Sequence, residues 1–171
     1  VGRTCAPPAR LLVAGAGLTP TEIAMFKRIL VATDGSELST KAVDRAIALA
    51  RTVGAELFAL KVVHHQREDH WDGGLLRERS AHAVIEAEQT ELAKAVVEAV
   101  RASAERADVK ATALTAKATS VADAVIEAAQ KNGCDLIVMA SHGRRGLARV
   151  LLGSETQHVL THTQIPVLVI R

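Results

Sequence analysis

The stretch MASHGRRGLARVLLGSET, residues 139–156, gathers the residue types most able to handle a charged ligand. Ala140, Ser141 and His142 lead into Gly143, and Arg144, Arg145 and Gly146 follow it. Nine residues separate Gly143 from Gly153, after which come Ser154, Glu155 and Thr156. Glycine at 143 admits positive φ and lets a ligand approach the backbone closely. Gly153 and Ser154 open a further helical segment, and the first N–H groups of a helix lack intrahelical partners. Those groups, with the helix dipole, suit phosphate oxygens, and Arg144, Arg145 and Arg149 add positive potential. The same residues also read as punctuation between a strand and a helix. Ser154 with Gln157 is a capping box, and Gly143 and Gly146 are ordinary turn residues. The stretch is not a Walker A loop, which needs a lysine after its glycine. Nor is it the dinucleotide fingerprint, whose glycines follow the first strand at another spacing.

Other reactive side chains are less well placed. Histidine is the residue type that titrates near neutral pH, but no serine, cysteine or carboxylate is arranged by sequence as a catalytic partner of His142. It is read as a group that positions backbone or touches phosphate. Asp34 resembles a phosphoacceptor by position, yet lacks the companion carboxylates that hold magnesium in such sites. His64, His65 and His70, near Glu68, Asp69 and Asp72, are suitable ligands for zinc or nickel. Their spacing matches no closed pattern, so no metal site is assigned and the segment is read as a polar loop above a pocket, with Trp71 either a lid contact or a residue that simply packs down. Cys134, ahead of an apolar run, is read as a partly buried, inert thiol.

The elements that must position these residues follow from apolar periodicity. KRILVA (27–32) is a compact strand. A helix is expected from about Ser36 to Val53, through Val43, Ile47, Leu49 and Ala50, with Gly54 at its C-terminal cap. LFALKVV (57–63) forms a second strand, and the polar loop HHQREDHWDGG leads to a long helix from about Leu75 to Arg106. On that helix Val84, Leu92 and Val96 share a face that Glu88 interrupts. A weaker third strand is placed at 109–116. Ser120 and Asp123 mark the start of a helix over 121–131, which Asn132 and Gly133 close. DLIVMA (135–140) is the fourth strand, a helix ends near His162, and IPVLVI (165–170) is the last strand. Pro166 suits its edge or its entry.

Continuous apolar strands alternating with helices indicate an α/β fold: one domain with an open parallel five-stranded sheet and helices on both faces. Ligands of such sheets bind beyond the carboxyl ends of the strands, where strand order reverses. That rule selects Thr33 and Asp34 after the first strand and Ala140 to Gly143 after the fourth. The two loops are neighbours only if those strands are adjacent, which periodicity does not decide.

Composition narrows the classes of partner. The 171 residues suit one well-buried domain. The net charge of +2 and the scarcity of aromatics (Phe26, Phe58 and Trp71) argue against nucleic acid. No apolar run is long enough to span a membrane, and Cys5 and Cys134 make no disulfide framework. The default reading is a soluble cytoplasmic protein. Residues 1–24, including LLVAGAGL, are expected to be a poorly ordered N-terminal extension, with Met25 as the natural start.

Three segments, KRILVATDGS (27–36), DLIVMASHGRRGLARVLLGS (135–154) and IPVLVI (165–170), occur in the order and at the distances that resemble the universal stress protein family. The resemblance covers 25–171. It implies strand order 3-2-1-4-5, which sets the first and fourth strands side by side. In the ATP-binding branch the pattern is G-x2-G-x9-G-[ST]. Gly143, Gly153 and Ser154 fill the later places, while Ala140 replaces the first glycine. The resemblance implies that backbone from Ala140, Ser141, His142, Gly143, Arg144, Arg145 and Gly146, with that of Ser154, Glu155 and Thr156, holds ribose and phosphates. Asp34 would contact the nucleoside, Ala32 and Thr33 would line the same corner, and the Val62 backbone would pair with adenine. Ala32 stands where some relatives have proline. The cofactor implied is ATP with Mg²⁺ on its phosphates, and the assembly a homodimer through the last strand, 165–170, acting on an unidentified regulatory partner. With no positioned general base, hydrolysis or autophosphorylation is at most slow. The alternatives are a nucleotide-free dimeric interaction module, or an ATP-using phospho- or adenylyltransferase.

Overall fold

The computed structural model describes residues 25–64, 76–143 and 152–171, without the side chains of 76–83. Along the chain run β1 (Arg28–Ala32), α1 (Glu37–Val53), β2 (Glu56–His64), α2 (Leu76–Arg106), β3 (Ala111–Ala118), α3 (Val121–Lys131), β4 (Leu136–Ala140), α4 (Ser154–His162) and β5 (Val167–Ile170). The five strands form one parallel sheet in the order β3-β2-β1-β4-β5. β1 and β4 are therefore neighbours, with Val31 opposite Val138.

Strands apolar at every position bury both faces, and the core is accordingly double. Ile29, Val31, Leu57, Ala59, Leu136 and Val138 pack toward α1 and α2. Leu30, Phe58, Leu60, Ile137 and Met139 pack toward α3 and α4.

Local chemistry sets the helix ends. The Ser36 hydroxyl accepts the Ser39 N–H at 3.2 Å, and the Ser120 hydroxyl accepts that of Asp123 at 3.2 Å. Gly54 closes α1 at φ 71°, the left-handed region that glycine enters without a Cβ penalty. β5 lies at the sheet edge, and Pro166, just before it, still offers its carbonyl to the Ile137 N–H at 2.9 Å.

Two sequence expectations are corrected. The buried stripe of α2 is Ala93, Val97, Val100 and Ala104, whereas Val84 and Leu92 are exposed and Val96 is half-buried. Steps of four drift about 40° each around a helix, while alternating steps of four and three stay on one line. Alanines on that line were hidden among larger apolar neighbours. β3 starts at Ala111 rather than 109, because Val109 is held in the turn that follows α2. Its N–H bonds to the Ala104 carbonyl at 2.9 Å, after Asp108 turns the chain at φ 59°.

Candidate functional site

Strand order brings two loops to the same end of the sheet. β1 gives way to Thr33, whose N–H bonds to the Leu60 carbonyl at 2.9 Å; β4 gives way to Ser141, whose N–H bonds to the Ile170 carbonyl at 2.7 Å. From there the loops converge, and a β-carbon added at Gly143 would stand 2.9 Å from Asp34 Oδ2. Gly143 is not at positive φ; among the described glycines, Gly35, Gly54 and Gly133 are. Positive φ is not used at 143; glycine there supplies space for the Asp34 carboxylate.

The turn carrying Asp34 is held from several sides. Asp34 Oδ1 accepts the Ser36 N–H at 2.9 Å, and Lys61 Nζ donates to the Asp34 carbonyl oxygen at 2.8 Å. Thr33 Oγ1 accepts the Gly35 N–H at 3.2 Å and shares a hydrogen bond with Ser39 Oγ at 3.0 Å. Thr33 and Ser39 are buried, so each hydroxyl satisfies the other away from water. Gly35, at φ 79°, lets the chain reverse into α1.

Across the cleft, α4 begins one residue earlier in register than a serine cap requires. Gly153 is the N-cap, with φ −71° and ψ 153°, and no side-chain bond caps this end. Ser154 is already helical, and the Gln157 N–H bonds to the Gly153 carbonyl at 2.9 Å. The expected Ser154–Gln157 capping box is therefore not formed. The first-turn N–H groups of Ser154, Glu155 and Thr156 consequently have no intrahelical acceptor, and Ser154 is exposed. Gly153 packs tightly: its N–H bonds to the Ser141 carbonyl at 2.7 Å, and an added β-carbon would lie 3.2 Å from that oxygen and 3.3 Å from His142 Cα. Buried Thr156 ties the same corner through Oγ1 to the Ala140 carbonyl at 3.0 Å.

The Glu155 carboxylate takes a role of its own. Its Oε2 accepts the Ala122 N–H at 2.8 Å, satisfying a donor in the first turn of α3. A second link joins the two helices where His158 Nε2 lies 3.0 Å from Asp123 Oδ1. The Ser120 hydrogen bond, and then the nearby His158, hold the Asp123 carboxyl below its ordinary range. His142 Nδ1 is 3.1 Å from Ser141 Oγ.

Ala140, the departure from the glycine pattern, is buried and pairs with Ile170. Its methyl belongs to the core cluster of Ile29, Val31 and Val138 on the α1 side. Ala32 is half-buried against the opposite cluster. Val62 presents backbone. Along β2 the Glu56 N–H and Leu60 carbonyl bond toward the β1 side, whereas the Leu57 N–H bonds toward β3. Alternation turns the N–H and carbonyl of Val62 to the β1 side as well. There the β1 pairing has ended at Ala32 opposite Leu60.

Arg144, Arg145 and Gly146 lie outside the described residues, as do His65, Glu68, Asp69, His70, Trp71 and Asp72. His64 is exposed at the end of β2. Among the described residues no three His, Cys, Asp or Glu side chains gather as metal ligands, and no helix is long and apolar enough to cross a membrane. Sequence reasoning missed Lys61, Ser39 and the side-chain role of Glu155. A single lysine inside LFALKVV was the visible signal for the first; the others depend on tertiary contacts.

Comparison with known proteins gives three results. The model of the universal stress protein family matches residues 25–171. Universal stress protein MJ0531 of Methanocaldococcus jannaschii is 34% identical over 155 residues, covering 86% of this chain and 83% of the relative. Among solved structures, that of MJ0577 superposes with TM-score 0.68 at 29% identity, covering 85% of this chain and 96% of the other. A universal stress protein in complex with cAMP superposes with TM-score 0.59 at 25% identity, covering 85% and 97%.

Proposed function

We infer function from one premise: the chain belongs to the universal stress protein family. We propose that it is an ATP-binding regulatory protein of the cytoplasm, acting as a homodimer through 165–170 in a stress response. The observation that carries this reading is the meeting of the β1 and β4 loops. It sets the Asp34 carboxylate against Gly143, on the same edge of the sheet as the β2 backbone past the end of β1.

In that cleft adenine pairs with the Val62 backbone, and Asp34 takes ribose hydroxyls between Ala32, Thr33 and Gly143. The phosphates lie against the N–H groups of Ser154, Glu155 and Thr156, with the backbone of 140–143 on their other side. Mg²⁺ travels on the phosphates. A bound cyclic adenine nucleotide in one relative supports this class of ligand. The Ala140 methyl does not oppose it, since that methyl is part of the core. Hydrolysis or autophosphorylation would be slow, because among the described residues no carboxylate or histidine is positioned as a general base.

Isothermal titration of ATP into the parent protein and into the double variant Gly153→Val, Ser154→Glu tests the proposal. The parent should bind and the variant should not, since valine crowds Ser141 and His142 and glutamate repels phosphate. Equal heats from both, or none from the parent, would leave the nucleotide-free interaction module as the better reading. Rapid multiple turnover would instead favour a transferase.

A further inference from the structure

Lys61 is the one charged residue in the apolar run 57–63, and its position in β2 puts it on the α1 and α2 side with Leu57 and Ala59. An ammonium group half-buried in such a place needs a strong acceptor. Lys61 Nζ finds one in the Asp34 carbonyl oxygen at 2.8 Å, bridging from β2 to the loop after β1. That carbonyl belongs to the peptide joining Asp34 to Gly35, so its direction sets the turn in which Gly35 adopts φ 79°.

We propose that Lys61 is a positioning residue for the nucleotide site, holding the Asp34 turn so that its carboxylate faces Gly143. The constraint is passed on by short contacts. With the Thr33 N–H fixed to Leu60 and the Asp34 carbonyl fixed to Lys61, the Asp34 side chain settles with Oδ1 on the Ser36 N–H. Oδ2 faces Gly143, 2.9 Å from where a β-carbon would stand. A charged donor keeps its acceptor more firmly than a neutral one. Strand pairing alone ends at the Thr33 N–H, one residue short of the Asp34 peptide.

The inference rests on the ATP-binding reading, so the experiment reports on each separately. Lys61→Met keeps most of the stem and removes the donor; Lys61→Gln, shorter and uncharged, is the second variant should the first fail to fold. Isothermal titration should show ATP affinity reduced about tenfold, the scale of one lost charged hydrogen bond. In ligand-free protein the Gly143 amide resonance should move, while thermal melts show the fold intact. A lysine that merely tidied the strand would leave that amide in place. An unmoved Gly143 amide, or ATP affinity equal to the parent's, overturns the role of Lys61. A parent that binds no ATP overturns the ATP-binding reading itself, and with it this one.

Discussion

At the scale of single residues, the cleft is defined by what its glycines leave out. Gly143→Ala should weaken ATP binding at least tenfold while costing only about 1 kcal/mol of stability, because the Asp34 carboxylate must yield to the new methyl. Titration beside a thermal melt checks it, and undiminished affinity would refute the packing argument. Cys134 offers an independent test of burial. Desolvation, and then the neighbouring Asp135, push its thiol up from 9.0 to about 11. Between these values the unfolded chain loses the proton while the folded one keeps it. The stability held by the buried neutral thiol is thus fully present below pH 9 and lost as pH rises toward 11, by roughly 2–3 kcal/mol. Denaturant midpoints from pH 8.5 to 10.5 should fall less steeply in Cys134→Ala, and matching slopes would refute the assignment. Cys134 was legible from sequence because an apolar strand follows it. The space filled at Gly143 was not, since it depends on a residue 109 positions earlier (143 − 34).

At the scale of elements, α2 shows how size misleads. Val97→Ala should destabilise by about 1–3 kcal/mol, since Val97 is buried against the sheet. Leu92→Ala should stay within about 0.5 kcal/mol, since Leu92 is exposed. Urea denaturation of the two variants gives the comparison; a larger loss at Leu92 would place the buried face wrongly. Where one strong local signal fixes an end, as Ser36, Gly54 and Ser120 do, sequence and structure agree to within a residue. At α4 two residues competed for the cap. Gly153 took it because its N–H and the Ser141 carbonyl are drawn together by the end of β4, a tertiary cause that no capping box reveals.

At the scale of the whole molecule, the parallel sheet followed from periodicity, but the adjacency of β1 and β4 did not. Apolar strands buried on both faces look alike in sequence, so only the resemblance carried by three motifs ordered them. β5 ends the sheet with Leu168 partly exposed, and an open apolar edge favours pairing with another chain. Leu168→Lys should therefore shift sedimentation from dimer toward monomer and leave the fold intact; an unchanged sedimentation profile would place the proposed dimer interface elsewhere.

Ser141 stands between the proposed pairing edge and the proposed phosphate site. Its N–H bonds to the carbonyl of Ile170, the last residue of β5, and its carbonyl accepts the N–H of Gly153, the cap of α4, so one buried residue ties the sheet edge to the start of that helix. If the chain pairs through β5 as proposed, a displacement of that strand would be passed through Ser141 to the start of α4. If occupancy of the cleft strengthens the dimer by some factor, reciprocity requires the dimer to strengthen occupancy by the same factor. Nucleotide level and protein concentration would then be two inputs read by a single residue.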